Sequence, residues 1–165
     1  MGRRKQKATK LRPYADNCFL PFALLAARTF LPLAGGYLNS NFYATYGYMA
    51  ILTGDKEYYM RANEEAYQYN PDHTVICDNY GLSLYTQGEY DKAKEIYAAL
   101  IEKSPNFPEA YYNYACVLDK LGETGQAITM LEESLNHEFT GVTTIRRGAV
   151  EAYLQSLKNQ VGKEQ

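Results

Sequence analysis

From residue 74 onward, large apolar side chains return every three or four positions, and Gly or Pro interrupts them at regular intervals. Ile76, Tyr80 and Leu84 are spaced by four, which places them on one face of an α-helix. Asp72 or Thr74 is positioned to cap that helix at its start, and Gly88 closes it as a C-terminal glycine. After Glu89-Tyr90-Asp91 a second stripe begins with Ala93, Tyr97, Leu100 and Ile101, and Pro105 stops it. The pattern predicts a helix, a tight turn and a second helix. Such a unit cannot bury its apolar face alone, so it must stack on a neighbour.

The same punctuation recurs with a period of 34 residues. Gly54, Gly88 and Gly122 are separated by 34 and 34, as are Tyr46, Tyr80 and Tyr114. Pro71 pairs with Pro105 and Ala93 with Ala127. Tyr43, Cys77 and Tyr111 share one register position, and Gly47, Gly81 and Ala115 share another where only a tiny residue stands. Gly81 lets a neighbouring helix approach closely. A register held at five or six positions over three units predicts three stacked helix pairs.

At these positions the chain resembles the tetratricopeptide repeat family, whose pattern sets a large residue, Leu-Gly, Tyr, Ala, a large residue, Ala and Pro at fixed offsets. The run YGLSLYTQGEYDKAKEIYAALIEKSPN, residues 80–106, follows it almost throughout. Pro108–Gly141 matches through Tyr111, Tyr114, Ala115, Leu118, Gly122, Ala127 and Leu131, with Phe139 in place of the closing proline. Ser40–His73 is degenerate: Tyr43, Gly47, Gly54, Ala66 and Pro71 fit, but Tyr59 replaces the small alanine and Asn63 the large residue. That departure predicts looser packing there or a neighbour outside the repeats. The resemblance covers residues 40–141 and implies an all-α, right-handed superhelix of three helix pairs.

Beyond the repeats, Thr143 or Thr144 is placed to cap a last helix with Ile145, Ala149, Ala152, Tyr153 and Leu157 on one face. Arg146, Arg147, Glu151 and Lys158 would face water, as a solvating end cap requires. The expected domains are an arm and apolar segment over 1–38, a repeat domain over 39–160 and a tail over 161–165.

Cys18–Leu38 is apolar apart from Arg28. Nine Leu and Phe residues each favour membrane insertion by about 0.3 to 0.6 kcal/mol, whereas a central Arg opposes it by about 2.5 to 3.5. Pro21 and Pro32 add further cost, so the sum lies near zero. Three readings stay open: a membrane-embedded or partner-buried segment, a secretory or organelle targeting peptide, and a packed N-terminal helix.

Composition then narrows the partner. Of the 17 basic residues, six lie within residues 1–12, which leaves 11 against 19 acidic ones across 13–165, a net of −8. A nucleic acid would have to be held by the short basic arm alone, and none is expected. Cys18, Cys77 and Cys116 are far apart and odd in number, at spacings no zinc motif uses, so free thiols in a reducing or membrane-associated setting are expected.

No glycine-rich phosphate loop, Gly-x-Ser-x-Gly or His-Glu-x-x-His occurs. The carboxylate pairs Glu64-Glu65 and Glu132-Glu133 are adjacent on helices and point apart, which suits a solvated face rather than acid–base catalysis. A non-catalytic protein is expected, without metal or cofactor.

The family resemblance implies a concave groove lined by first-helix side chains. By register these are Asn41, Ala44, Tyr48 and Ile51, then Asp78, Asn79, Leu82 and Tyr85, then Glu109, Tyr112, Asn113, Cys116 and Asp119. Asn79 and Asn113 occupy the position whose amide can pair with a partner's backbone. One subclass clamps a chaperone's C-terminal carboxylate with Lys and Arg. Here those positions carry Ala44, Glu109 and Asn113, so that ligand is disfavoured. The expected partner is a neutral or basic segment with apolar anchors. Of the 17 tyrosines, Tyr43, Tyr46, Tyr80, Tyr90, Tyr97, Tyr111 and Tyr114 fall on packing positions, leaving Tyr48, Tyr85 and Tyr112 for the groove. Two other roles remain open: a structural or assembly subunit of a larger, membrane-bound complex, and a regulatory domain of a membrane enzyme.

Overall fold

The computed structural model describes residues 36–52 and 54–163, and the side chains among them other than those of residues 36–39 and 41. Seven α-helices follow in order: α1 (Gly36–Leu52), α2 (Lys56–Tyr69), α3 (Thr74–Gln87), α4 (Tyr90–Glu102), α5 (Pro108–Lys120), α6 (Thr124–Asn136) and α7 (Arg147–Val161). No strand occurs among the described residues. From α2 onward each helix packs on its successor, and α3 also touches α5. This is the all-α array of three helix pairs plus an end helix.

The turns follow from the recurring glycines. Gly54, Gly88 and Gly122 have φ of 71°, 84° and 78°, a left-handed conformation that residues with a Cβ adopt only at a cost. Gly88 N–H donates to Tyr85 O and Glu89 N–H to Leu84 O, both at 3.0 Å, which satisfies the last carbonyls of α3. Pro108 opens α5 at a position where its missing N–H is harmless.

The main core runs through α3 to α7. Cys77, Leu84, Ala93, Tyr97, Leu100, Tyr111, Tyr114, Leu118, Leu131, Val150 and Leu157 are buried together. Fully burying one such aliphatic side chain stabilises by roughly 1.5–3 kcal/mol. Rings bridge successive pairs: Tyr67 stacks on Tyr80 with centroids 4.8 Å apart, and Tyr97 on Tyr114 at 5.9 Å. Within pairs, Tyr43 meets Tyr69 at 4.6 Å, and two units later Tyr111 meets His137 at 4.6 Å.

The first pair, held by smaller clusters than the main core, approaches closely at one point. A Cβ on Gly47 would lie 2.0 Å from Asn63 Oδ1, and Asn63, fully buried, donates to Tyr59 O at 2.9 Å and to Gly47 O at 3.3 Å. In the second pair Tyr97 fills the same place, where a Cβ on Gly81 would lie 2.6 Å from its ring. The displaced bulk sits at Tyr59, buried and hydrogen-bonded to Thr86 Oγ1.

Two expectations at helix starts are corrected. His73 caps α3 and Arg146 caps α7, neither through its side chain. Thr143 instead closes the preceding loop, its Oγ1 accepting from Thr140 N–H at 2.6 Å. The buried face of α7 is also different. Val150 and Leu157 are buried and Tyr153 half-buried, whereas Ala149 and Ala152 are exposed. By register those alanines match Ala115 and Leu118, which face the second helix of their own pair, and no such helix follows α7 among the described residues.

Candidate binding face

The candidate face is built from α1, α3 and α5, each of which uses one side for the core and leaves another partly open. On α1, Tyr48 is 39% exposed, Met49 55% and Leu52 62%. Ile51 is half-buried beside Ala50 and Tyr59. The side chain of Asn41 and the segment Cys18–Leu38 lie outside the described side chains. On α3, Leu82 and Tyr85 are half-buried, and on α5 so are Glu109, Tyr112, Asn113, Cys116 and Asp119.

Several polar side chains expected to face a partner are bonded within the chain. Asn79 is buried and donates to Ala44 O at 2.8 Å, tying α3 to α1. Glu109 Oε1 accepts from Thr144 N–H at 2.6 Å, tying α5 to the loop before α7. Asp78 is buried and accepts from Asn113 Nδ2 at 3.0 Å and from Tyr97 Oη at 3.1 Å. Burial pushes its carboxyl up to about 6, against the lowering effect of those two donors. These groups hold the helices in register and present the aromatic and aliphatic side chains between them.

The best-defined patch joins three helices. Tyr112 and Tyr153 meet edge to face with centroids 6.1 Å apart at 66°, and Tyr153 Oη donates to Asp119 Oδ2 at 2.6 Å. Tyr85 packs on Tyr90 at 5.5 Å. Burial pushes the Cys116 thiol up to about 11, with the Tyr112 phenol opposing and the Asp119 charge adding to it. Burial also raises Tyr85, Tyr112 and Tyr153, and Cys116 reinforces each. Cys116 therefore lies within electrostatic reach of all three phenols.

Sequence reasoning placed Tyr153 on the packing face of the last helix and left it out of this patch. The signal was available: Tyr153 lies 34 residues after Asp119 and 68 after Tyr85. Extending the period past residue 141 puts all three at one register position. Among the described residues, no group of His, Cys, Asp and Glu is arranged to hold a metal ion, and no helix is long and apolar enough to cross a membrane.

Residues 84–141 match a family model described as tetratricopeptide repeat. The fold agrees with that match. The Sgt2 tetratricopeptide-repeat domain from Aspergillus fumigatus superposes with a TM-score of 0.64 at 15% identity, over 76% of this chain and 80% of that one. Residues 84–141 are thus tetratricopeptide repeats, within a chain of the same fold. The corresponding domain of yeast Sti1, solved in complex with pHSP90, gives a TM-score of 0.59 at 14% identity over 79% of this chain and 50% of that one. At such identity these two likenesses concern fold alone. The photosystem I assembly protein Ycf3 from Cuscuta gronovii is 29% identical over 119 residues, 69% of each chain.

Proposed function

We propose that this chain is a non-catalytic adaptor that holds a segment of a partner protein along α1, α3 and α5 during the assembly of a larger complex. The observation that carries this is the run of partly open apolar and aromatic side chains on successive first helices, with Tyr48, Leu82 and Cys116 at one register position. Tyr48 and Leu52 on α1, Leu82 and Tyr85 on α3, and Tyr112 and Cys116 on α5 form it. Interface cores favour such aromatic anchors. Tetratricopeptide-repeat domains bind protein partners, and the resemblance to a photosystem assembly protein supports the assembly role.

The partner is a neutral or basic segment with apolar anchors. Asp119 and the acidic balance of residues 13–165 favour it, and the clamp positions for a chaperone carboxylate carry Ala44, Glu109 and Asn113. Residues 1–38, basic and then apolar, position the adaptor at a membrane or within the complex. Photo-crosslinking residues placed at Tyr48 and Leu82, followed by mass spectrometry, test the groove. One partner should crosslink from both positions, and Tyr48→Ala with Tyr85→Ala should release it while the helical circular dichroism is kept. A partner that crosslinks from neither position, or survives the double change, overturns the groove. Removing residues 1–38 should leave binding intact and change where the complex is found.

A further inference from the structure

We propose that Tyr85, Tyr112, Tyr153 and Asp119 form a subsite for the guanidinium group of an arginine in the bound segment. This rests on the groove reading above and deepens it by naming the chemistry at one position. Tyr112 and Tyr153 stand at 66° with centroids 6.1 Å apart, so their faces are not stacked on each other and a planar group can lie against one of them. All four side chains are half-buried, which leaves them reachable and partly desolvated. Aromatic faces carry negative charge density that attracts a cation, and more strongly where water is reduced.

The carboxylate sits at the rim of the rings. Asp119 Oδ2 takes the Tyr153 hydroxyl at 2.6 Å, and no hydrogen bond reaches Oδ1 among the described residues. A guanidinium stacked on a ring could therefore direct an N–H at Oδ1. Arginine fits better than lysine because its charge is planar, weakly hydrated and forked. Lys120, next in the helix, is exposed, and its charge reaches Cys116. It leaves Asp119 without an ion pair among the described residues, whereas Glu132 and Glu123 both have one.

The test uses the full chain with ring-labelled tyrosine and two probes of matched shape, ethylguanidinium and N-ethylurea, at constant ionic strength. Ethylguanidinium should shift the Tyr85, Tyr112 and Tyr153 ring signals saturably, with affinity on the order of fivefold to tenfold above that of ethylurea. Asp119→Asn still accepts the Tyr153 hydroxyl and should reduce the cation to the level of the urea. Equal affinity for both probes, no saturable shift with either, or a preference that survives Asp119→Asn overturns the subsite. The unmodified chain alone decides between the first two, so the proposal does not depend on the folding of a variant. Crosslinking from Tyr48 and Leu82 with no cation preference removes the subsite and keeps the groove. A cation preference without such crosslinks removes the groove.

Discussion

Asn113 Nδ2 donates to Asp78 Oδ1 across 3.0 Å, and Tyr97 Oη reaches the same oxygen at 3.1 Å, so α3, α4 and α5 meet at one buried carboxyl. One unit earlier the equivalent amide, Asn79, donates instead to the backbone carbonyl of Ala44 at 2.8 Å. The amide thus joins each first helix to the one before it, through a neutral acceptor in one place and an ionisable one in the other. Only the second of these joints responds to pH.

Asp78 has its carboxyl raised by burial to about 6, above the value of 3.8 expected for an exposed one. Between about pH 4 and pH 6 the folded chain therefore holds a proton that the unfolded chain has lost. Stability from this group is full below that window and declines as pH rises through it. Two pH units correspond to at most about 3 kcal/mol. Asp78→Asn keeps an acceptor for Tyr97 and Asn113 without the buried charge. Thermal melts should show the variant more stable at pH 8 by about 1–3 kcal/mol and the two proteins converging near pH 4. A wild-type advantage at pH 8 would contradict this.

Gly47→Ala should be costly because the new Cβ would fall 2.0 Å from Asn63 Oδ1, an atom with no hydrogen-bond partner. Overpacking of this kind costs about 1–3 kcal/mol. Shortening the opposing side chain with Asn63→Ala makes room, so the double variant should recover part of the loss. Chemical denaturation of the four proteins in that cycle measures the coupling.

Gly81→Ala sets the same clash against the Tyr97 ring, 2.6 Å away, and the ring is locked by its bond to Asp78. A loss of about 1–3 kcal/mol is again expected. Gly148→Ala, also helical, meets nothing within 4 Å and should gain a few tenths to about 1 kcal/mol. Equal effects at the two glycines would mean that helix propensity, not close packing, decides.

The glycines and prolines made the repeat boundaries legible, because a left-handed turn and a missing N–H constrain the backbone locally. Helix starts were less legible. Thr74 and Thr144 have cap chemistry, yet the caps fall at His73 and Arg146, neither of which bonds the first turn through its side chain. The face of α7 was misread from its small residues. Ala149 and Ala152 would be buried only if a second helix followed, whereas the period itself places Val150 with Cys116 and Tyr153 with Asp119. Spacing sets the register of the first-helix side chains without revealing that Asn79 and Glu109 are bonded within the chain. That depends on the distance between helices, which no single helix's pattern contains.

Cys116 tests the patch chemically. Its thiol is pushed up to about 11, chiefly by burial, against 9 for an exposed one. At pH 7.5 the thiolate, which is the reactive form, is therefore about 100-fold scarcer than in a free cysteine. Cys77 is buried more deeply, at 3% exposure, and its thiol donates to Pro71 O at 3.0 Å. In a Cys18→Ser, Cys77→Ser background, iodoacetamide should label Cys116 about two orders of magnitude more slowly than glutathione corrected to the same pH. The rate should still climb about tenfold per pH unit beyond pH 9, where a free thiol levels off. A bound partner segment lying over Tyr112 should slow it further, and urea unfolding should release it. Fast labelling of the folded chain at pH 7.5 would place Cys116 in open solvent and remove it from the patch.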